Sequence, residues 1–314
     1  MNTLSSVTIK AARKPRYGKT LSASTQCYLL ISLQIIGFFV FTIYPIIWAV
    51  EKSWFYYTGV SSQTNFVGWQ NFITAFKDVN YWSSWLTTFK FTVYKVCIEV
   101  PVSLILATLI SKGNKGSNFF RSMFYLPNII SVAIIGVMVS NLFDYFGVMN
   151  HILQSLRIIS EPVDWFSSPK TSMGVLVTGS VWSTFGMNIL YFCAALSNVP
   201  KDMYEAAEVD GAGVLTKFFK ITLPMIAPVA STILLLSING TLHVGEYILV
   251  TTNGGPAGST HTVGSYLINS FVPGFAEASV NIGYGCALSV ITSIIYSIIA
   301  FLYIKGTSKL QNIY

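Results

Sequence analysis

Charged and metal-binding residues are scarce in this chain. Of its 314 residues only 10% are Asp, Glu, Lys or Arg, and there are three histidines and four cysteines. The cysteines form no CxxC pair and the histidines are isolated, so the patterns of disulfide frameworks and zinc sites are absent. HExxH, nucleophile-elbow and paired-carboxylate signatures are absent as well. We therefore expect a chain that is not an enzyme, with no cofactor or metal of its own, and keep an intramembrane enzyme only as a remote alternative.

A nucleotide-binding loop is also missing. Gly18-Lys19-Thr20 resembles the end of a P-loop, but Arg13 stands where that pattern needs a glycine, and no strand precedes it. The net charge is +7, yet no basic patch with interleaved aromatic residues occurs outside the N-terminal tail. We therefore expect no nucleic-acid partner and no nucleotide site.

Apolar residues, by contrast, are abundant. They make up 53% of the chain, and the mean hydropathy is +0.59. A membrane-spanning helix needs about 20 mostly apolar residues. Six stretches meet this condition: Gln26–Val50, Trp85–Ile110, Phe119–Phe143, Met173–Leu196, Ile226–Val250 and Gly283–Ile304. The sequence thus predicts an all-α membrane protein with six spans.

The basic residues predict the orientation of these spans. Thirteen of the nineteen Lys and Arg residues fall on one side of the six spans and four on the other, with Lys90 and Lys95 inside the second span. Because basic loops stay in the cytoplasm, both termini are predicted to be cytoplasmic. Residues 1–24 would form a basic cytoplasmic tail, and residues 25–314 the six-span domain in the cell membrane.

The loop between the fourth and fifth spans has its own pattern. Pro200 suits the first turn of a helix, and Asp202 and Glu205 suit its positive N-terminal end. Gly211 and its neighbour Gly213 permit a sharp turn. We predict a helix–turn–helix with a small-residue face, whose second short helix covers residues 214–221 and ends before Pro224. Such a face suits docking into a groove on another protein.

This loop resembles the signature loop of permease subunits in binding-protein-dependent ABC importers. Glu205–Gly213 reads E-A-A-E-V-D-G-A-G and is most similar to the carbohydrate-uptake branch. The resemblance implies that the loop, about 197–225, contacts a separate ATPase, which binds ATP and Mg. The implied contact residues are Glu205, Ala206, Ala207, Asp210, Gly211, Ile221, Leu223 and Pro224.

Two further motifs support the same resemblance. Thr252-Asn253-Gly254-Gly255-Pro256 resembles the T-x-G-G-P turn of maltose- and glycerol-phosphate-type permeases, and Phe66–Phe72 resembles the F-V-G-x-x-N-F loop of sugar permeases. The resemblance implies a type I permease fold in a prokaryotic membrane. It also implies a second, homologous permease as heterodimer partner, two ATPase subunits and an extracytoplasmic sugar-binding protein.

Polar residues inside the fourth and fifth spans indicate where a solute passes. Such residues usually face a cavity or another helix, and a sugar needs hydrogen-bonding groups beside apolar surface. Aligning the chain on the family motifs implies that the following residues contact the solute: Ser180, Ser183, Thr184, Met187, Ser237, Gly240, Thr241 and Val244.

Lys95 and Glu99 lie four residues apart in the second span, so they share a helix face and can pair. We interpret them as a structural ion pair toward the partner subunit, with a gate or an acidic-sugar contact as the alternative.

Two functional alternatives for the whole chain also stay open. One is an ABC permease for another polar solute such as an organic phosphate, and the other is an ion-coupled transporter or channel that uses Lys95, Glu99 and Glu246.

Overall fold

The computed structural model describes residues 22–60, 64–111, 116–272 and 280–311. Almost all of the predicted tail, residues 1–24, therefore lies outside the described residues. The contacts divide the chain into two units, one that ends at Trp48 and one that begins at Ala49. The first unit contains helix α1 (Ala23–Phe38), whose N-cap Ser22 accepts a hydrogen bond from the amide of Thr25.

Among the described residues, two π-helical turns lie just before prolines. Phe39–Ile43 connects α1 to α2 (Tyr44–Lys52), and the amide of Tyr44, just before Pro45, donates to the carbonyl of Phe39. A proline ring clashes with the carbonyl four residues earlier and lacks an amide proton. A local π turn removes this conflict by widening the helix.

The second π turn corrects one prediction. It covers Phe218–Thr222, and the amide of Leu223 donates to the carbonyl of Phe218 immediately before Pro224. The helix therefore continues through the proline, and residues Val214–Leu242 form one 29-residue helix. The prediction of a short second helix that ends before Pro224 is wrong.

Among the described residues of the second unit, the regular secondary structure is helical apart from one small hairpin. In that hairpin, strands β1 (Phe55–Tyr56) and β2 (Asn65–Phe66) pair antiparallel, with Phe55 opposite Phe66. The helices after it are α3 (Gln70–Lys77), α4 (Val79–Ser111), α5 (Ser117–Ile129), α6 (Val132–Leu142), α7 (Val148–Ser155), α8 (Pro169–Ser197), α9 (Lys201–Val209), α10 (Val214–Lys217), α11 (Leu223–Leu242), α12 (Glu246–Thr252), α13 (Val263–Phe271) and α14 (Ile282–Gln311).

Five helices among the described residues are long and apolar enough to cross a membrane, and a bent helix pair is a sixth candidate. The second, fourth and sixth predicted spans correspond to α4, α8 and α14. The third predicted span, Phe119–Phe143, is not a straight helix. Ile130 is extended, and α5 and α6 meet there at 97°. The prediction missed this bend, although Ser131 is a typical N-cap residue type.

The fifth predicted span, Ile226–Val250, also has different bounds. Its helix ends at Leu242, and after His243–Gly245 the chain enters the separate helix α12. Gly245 precedes α12 with φ −142° and ψ −62°, outside helical geometry. The break lies beside the polar residues that the sequence had singled out.

Helix α8 is the centre of the second unit. It packs along α4 and α5 and also contacts α6, α11 and α12. Phe192 and Ile189 are fully buried in one apolar cluster, and Leu176 is fully buried in another. Gly186 permits the close approach of α5, because a Cβ atom there would overlap the carbonyl oxygen of Phe124.

Asp78 ties together three helices at one end of α4. One carboxylate oxygen accepts the amide of Tyr81 at 3.0 Å, and the other accepts the hydroxyls of Tyr266 at 2.9 Å and Tyr284 at 2.8 Å. Burial and the neighbouring Asp78 raise the pKa of Tyr266, so that hydroxyl keeps its proton and donates. The cluster fixes α13 and α14 against the start of α4.

Candidate functional site

A cavity of about 360 Å³ lies where two helices are interrupted. Helices α4, α6, α8, α11, α12 and α13 all contribute to its wall. The lining side chains and backbone come from Lys95, Val132, Ile135, Ser180, Ser183, Thr184, Gly240, Thr241, His243, Val244, Gly245, Glu246, Tyr247 and Ile268.

Two helices begin at this cavity. Val132 is the first residue of α6 and Glu246 the first residue of α12, and both line the wall. The first amides of a helix have no partner within the helix. The broken helices therefore bring backbone donors to the cavity beside the side chains of Ser180, Ser183 and Thr184.

The structure brings together most of the residues that the sequence singled out for the solute pathway. Ser180, Ser183, Thr184, Gly240, Thr241 and Val244 all line the cavity.

Met187 and Ser237 are not part of the lining. Ser237 lies behind the wall, where its hydroxyl accepts the side-chain amide of Asn188 at 3.0 Å. Sequence reasoning missed the contributions of α6 and α13. No polar residue marks Val132, Ile135 or Ile268, so only the fold places them at the cavity.

A buried polar network backs the cavity and joins α4, α8 and α11. Glu99 Oε1 accepts the hydroxyl of Thr184 at 2.7 Å and the amide of Asn188 at 3.0 Å. Lys95 Nζ lies 3.4 Å from Glu99 Oε2 and donates to the Thr241 hydroxyl at 3.3 Å. The Thr241 hydroxyl donates in turn to the carbonyl of Ser237. The network holds the three helices in register.

The ion pair that the sequence predicted is present, but it does not face a second subunit. Glu99 is 1% exposed and Lys95 is 5% exposed, because α8 and α11 of the same chain cover them. The interpretation of a pair directed at the partner is therefore wrong. Removing one member of a buried pair alone typically costs about 3–5 kcal/mol, since the other charge stays buried.

The loop that follows α8 is a capped helix with a tight turn. Pro200 is the N-cap of α9 rather than a residue of its first turn, and Asp202 occupies that turn. Gly211 has φ +76°, and the amides of Gly211 and Ala212 donate to the carbonyls of Glu208 and Ala207. This is the Schellman arrangement, which favours glycine at this position.

Two polar contacts connect α9 to the helix that follows the turn. The hydroxyls of Tyr204 and Thr222 are 2.9 Å apart, and Glu208 pairs with Lys217 at 2.6 Å. Of the predicted contact residues, Glu205, Ala206, Asp210 and Gly211 are exposed, while Ala207, Ile221, Leu223 and Pro224 are partly buried.

Large apolar side chains also stand exposed on this loop. Val209 is 89% exposed, Leu215 73% and Phe219 60%. Sequence reasoning described a small-residue face and missed these residues. Leu215 and Phe219 lie four residues apart on the helix that begins at Val214, whereas Val209 lies before the turn, so only the fold shows that all three are exposed.

The Gly-Gly-Pro motif forms a turn at the end of α12. Asn253 adopts a left-handed conformation with φ +48°, and the hydroxyls of Thr252 and Thr260 are 2.9 Å apart. His261 packs against the turn, and burial lowers the pKa of its imidazole, which is therefore neutral at pH 7. The described residues contain no group of three or more His, Cys, Asp or Glu side chains suited to a metal ion.

Fold and cavity together define a multi-pass α-helical membrane protein with a polar cavity between broken helices. Residues 99–305 match the family model described as binding-protein-dependent transport system inner membrane component. The chain belongs to this family.

Relatives of the chain are similar over nearly their whole length. The lactose transport system permease protein LacF of Rhizobium radiobacter is 30% identical over 281 residues, which cover 88% of this chain and 91% of LacF. The arabinooligosaccharides transport system permease protein AraP of Bacillus subtilis is 31% identical, covering 91% and 89%. The sn-glycerol-3-phosphate transport system permease protein UgpA of Escherichia coli is also 31% identical, covering 90% and 95%.

A solved structure has the same fold. A chain from the crystal structure of a bacterial ABC transporter involved in the import of the acidic polysaccharide alginate aligns with a TM-score of 0.78. The alignment covers 91% of this chain and 96% of that chain, at 20% sequence identity. The fold is therefore that of a type I ABC importer permease.

Proposed function

We propose that this chain is the permease subunit of an ATP-driven sugar importer and forms half of its translocation pathway. The observation that carries the proposal is the cavity at the interrupted helices, which combines serine and threonine hydroxyls with apolar wall residues. Sugars are recognised by such a combination. LacF and AraP, similar over about nine-tenths of this chain, are named for lactose and arabinooligosaccharide transport.

The assembly that we infer has four further parts. A second, homologous permease completes the pathway, two ATPase subunits bind ATP and Mg, and an extracytoplasmic sugar-binding protein delivers the solute. The alginate importer supports the last part, since its structure was solved with a substrate-bound periplasmic protein. The chain itself performs no hydrolysis in this account.

The loop at about 197–225 is the proposed contact with the ATPase. Its capped turn at Gly211 and its exposed Val209, Leu215 and Phe219 offer apolar surface beside the charged residues of α9. The asymmetry of basic residues supports a cytoplasmic position for both termini and for this loop. Closure of the ATPase subunits on ATP would pull on the loop and reorient α8 and α11, whose ends it joins.

Uptake by the purified transporter tests the proposal. The chain is tagged and purified from its native membrane, and the complex is reconstituted into vesicles with the binding protein. We expect an ATPase to co-purify and labelled oligosaccharide to enter only with ATP and Mg. Uptake driven by an ion gradient without ATP would instead favour a secondary transporter.

A further inference from the structure

Among the described residues that line the cavity, Lys95 is the one lysine or arginine. Its ammonium has three N–H donors. Within the described part of the chain it has two polar partners, the hydroxyl of Thr241 at 3.3 Å and Glu99 Oε2 at 3.4 Å. At least one donor is therefore left over at the cavity wall.

The neighbouring groups hold this ammonium in place. Glu99 is fixed by Thr184 and Asn188 from α8, and Thr241 is fixed by its bond to the Ser237 carbonyl of α11. Lys95 thus points from α4 toward a wall built by two other helices. A donor held in this way loses little conformational freedom when it binds a solute.

The charge of the cavity restricts the solute. Glu99 compensates the charge of Lys95, and the exposed Glu246 adds a carboxylate that has no ion-pair partner among the described residues. Among the described lining residues a phosphate or uronate would meet no lysine or arginine without an ion-pair partner, and the carboxylate of Glu246 would repel it. Hydroxyl groups, in contrast, can accept from Lys95 and donate to Glu246.

We propose that Lys95 determines specificity by donating a hydrogen bond to a hydroxyl oxygen of an uncharged sugar in transit, while Glu99 positions it and compensates its charge. This inference rests on the proposed function and names the solute class of the same cavity. Lys90, five residues earlier on α4, lines a different groove of about 710 Å³ between α4 and α8, and it forms no ion pair in the described residues. It is therefore the matched control.

The decisive variant is the double substitution Lys95→Met with Glu99→Gln. It removes both charges together, which avoids leaving one buried charge unpaired. The new amide oxygen can still accept from Thr184 and Asn188, so the helices remain joined. The single variant Lys95→Met is measured beside it, and Lys90→Met controls for loss of a lysine from the same helix.

The readouts are complex assembly, ATPase stimulation by the sugar-loaded binding protein, and sugar imported per ATP hydrolysed. For the double variant we expect normal assembly, stimulation within about twofold of the parent, and import per ATP reduced about tenfold or more, as for loss of a hydrogen bond from a charged donor. Lys90→Met should import like the parent. Parental import by the double variant would show that the pair is only structural and would overturn the inference.

Solute charge is tested with the unaltered transporter. Neutral oligosaccharides should be imported, whereas oligosaccharides of uronic acids should neither enter nor compete. Import of both at similar rates would overturn the assignment to uncharged sugars. If the parent transporter shows no ATP-dependent sugar import, the proposed function itself is wrong. That outcome is distinct from the results with the variants and with the charged sugars, which test the role of Lys95.

Discussion

Gly186 lets two helices approach closely, which makes it sensitive to one added methyl group. A Cβ atom there would overlap the carbonyl oxygen of Phe124, whereas a Cβ atom at Gly174 on the same helix meets nothing within 4 Å. Gly186→Ala should therefore destabilise the protein by about 1–3 kcal/mol through overpacking. Gly174→Ala should be neutral or slightly stabilising, because alanine is the better helix former.

Thermal unfolding of the purified complex in lipid nanodiscs measures both variants. A lower midpoint for Gly186→Ala and an unchanged or higher midpoint for Gly174→Ala would agree with the packing of α5 against α8. Equal midpoints would show that the two helices are not in contact at this point.

Polar residue types inside the apolar spans, together with the alignment on the family motifs, predicted several residues of the cavity wall. Serine, threonine and a Lys–Glu pair stand out inside apolar spans, and Ser180, Thr184 and Thr241 do line the cavity. The direction of Lys95 and Glu99 could not be predicted, because spacing gives a shared helix face but not the helix that covers it. Their partners on α8 became known only from the fold.

The signature loop depends on a glycine conformation at its turn. Gly211 has φ +76° and open space around it. The chain therefore needs glycine at this position for its backbone conformation and not for its small size. Gly211→Val should disrupt the turn, since a β-branched residue is strained at positive φ. Gly211→Asn should retain more function because asparagine tolerates this region. Gly213 has φ −69°, so Gly213→Ala is the control.

Sugar uptake and co-purification of the ATPase test whether this turn couples the two proteins. We expect both to be largely lost in Gly211→Val, mostly kept in Gly211→Asn and unchanged in Gly213→Ala. If valine at position 211 leaves transport and ATPase binding at the parental level, the turn does not couple the two proteins.

Straight helices were easier to predict than interrupted ones. The hydrophobic runs located α4, α8 and α14, since each is continuous and apolar. The apolar runs also continue through the bend at Ile130 and the break at His243–Gly245. The sequence therefore did not reveal these interruptions, because hydropathy does not distinguish a continuous helix from two short ones. At Pro224 the opposite error occurred, since a π turn lets the helix continue through the proline.

For the whole molecule, the orientation in the membrane is a separate prediction. Thr216 in the signature loop and Glu161 between α7 and α8 are both exposed. On a background without the native cysteines, a membrane-impermeant thiol reagent added to intact cells should label Glu161→Cys and not Thr216→Cys. Labelling of position 216 alone would invert the proposed topology.

The central claim is that the solute passes through the cavity while ATP hydrolysis is controlled elsewhere. Gly240 lines the cavity, and nothing lies within 4 Å of a Cβ atom at this position. Gly240→Trp can therefore fill the cavity without displacing its own helix. Gly174→Trp, in the separate groove between α4 and α8, is the control for a bulky side chain.

The most direct measurement is sugar uptake and ATPase activity of Gly240→Trp in the same reconstituted vesicles. The account predicts that uptake stops while the sugar-loaded binding protein still stimulates ATP hydrolysis, and that Gly174→Trp retains both activities. Uptake by Gly240→Trp at the parental rate would contradict the account, because the solute would then pass outside this cavity.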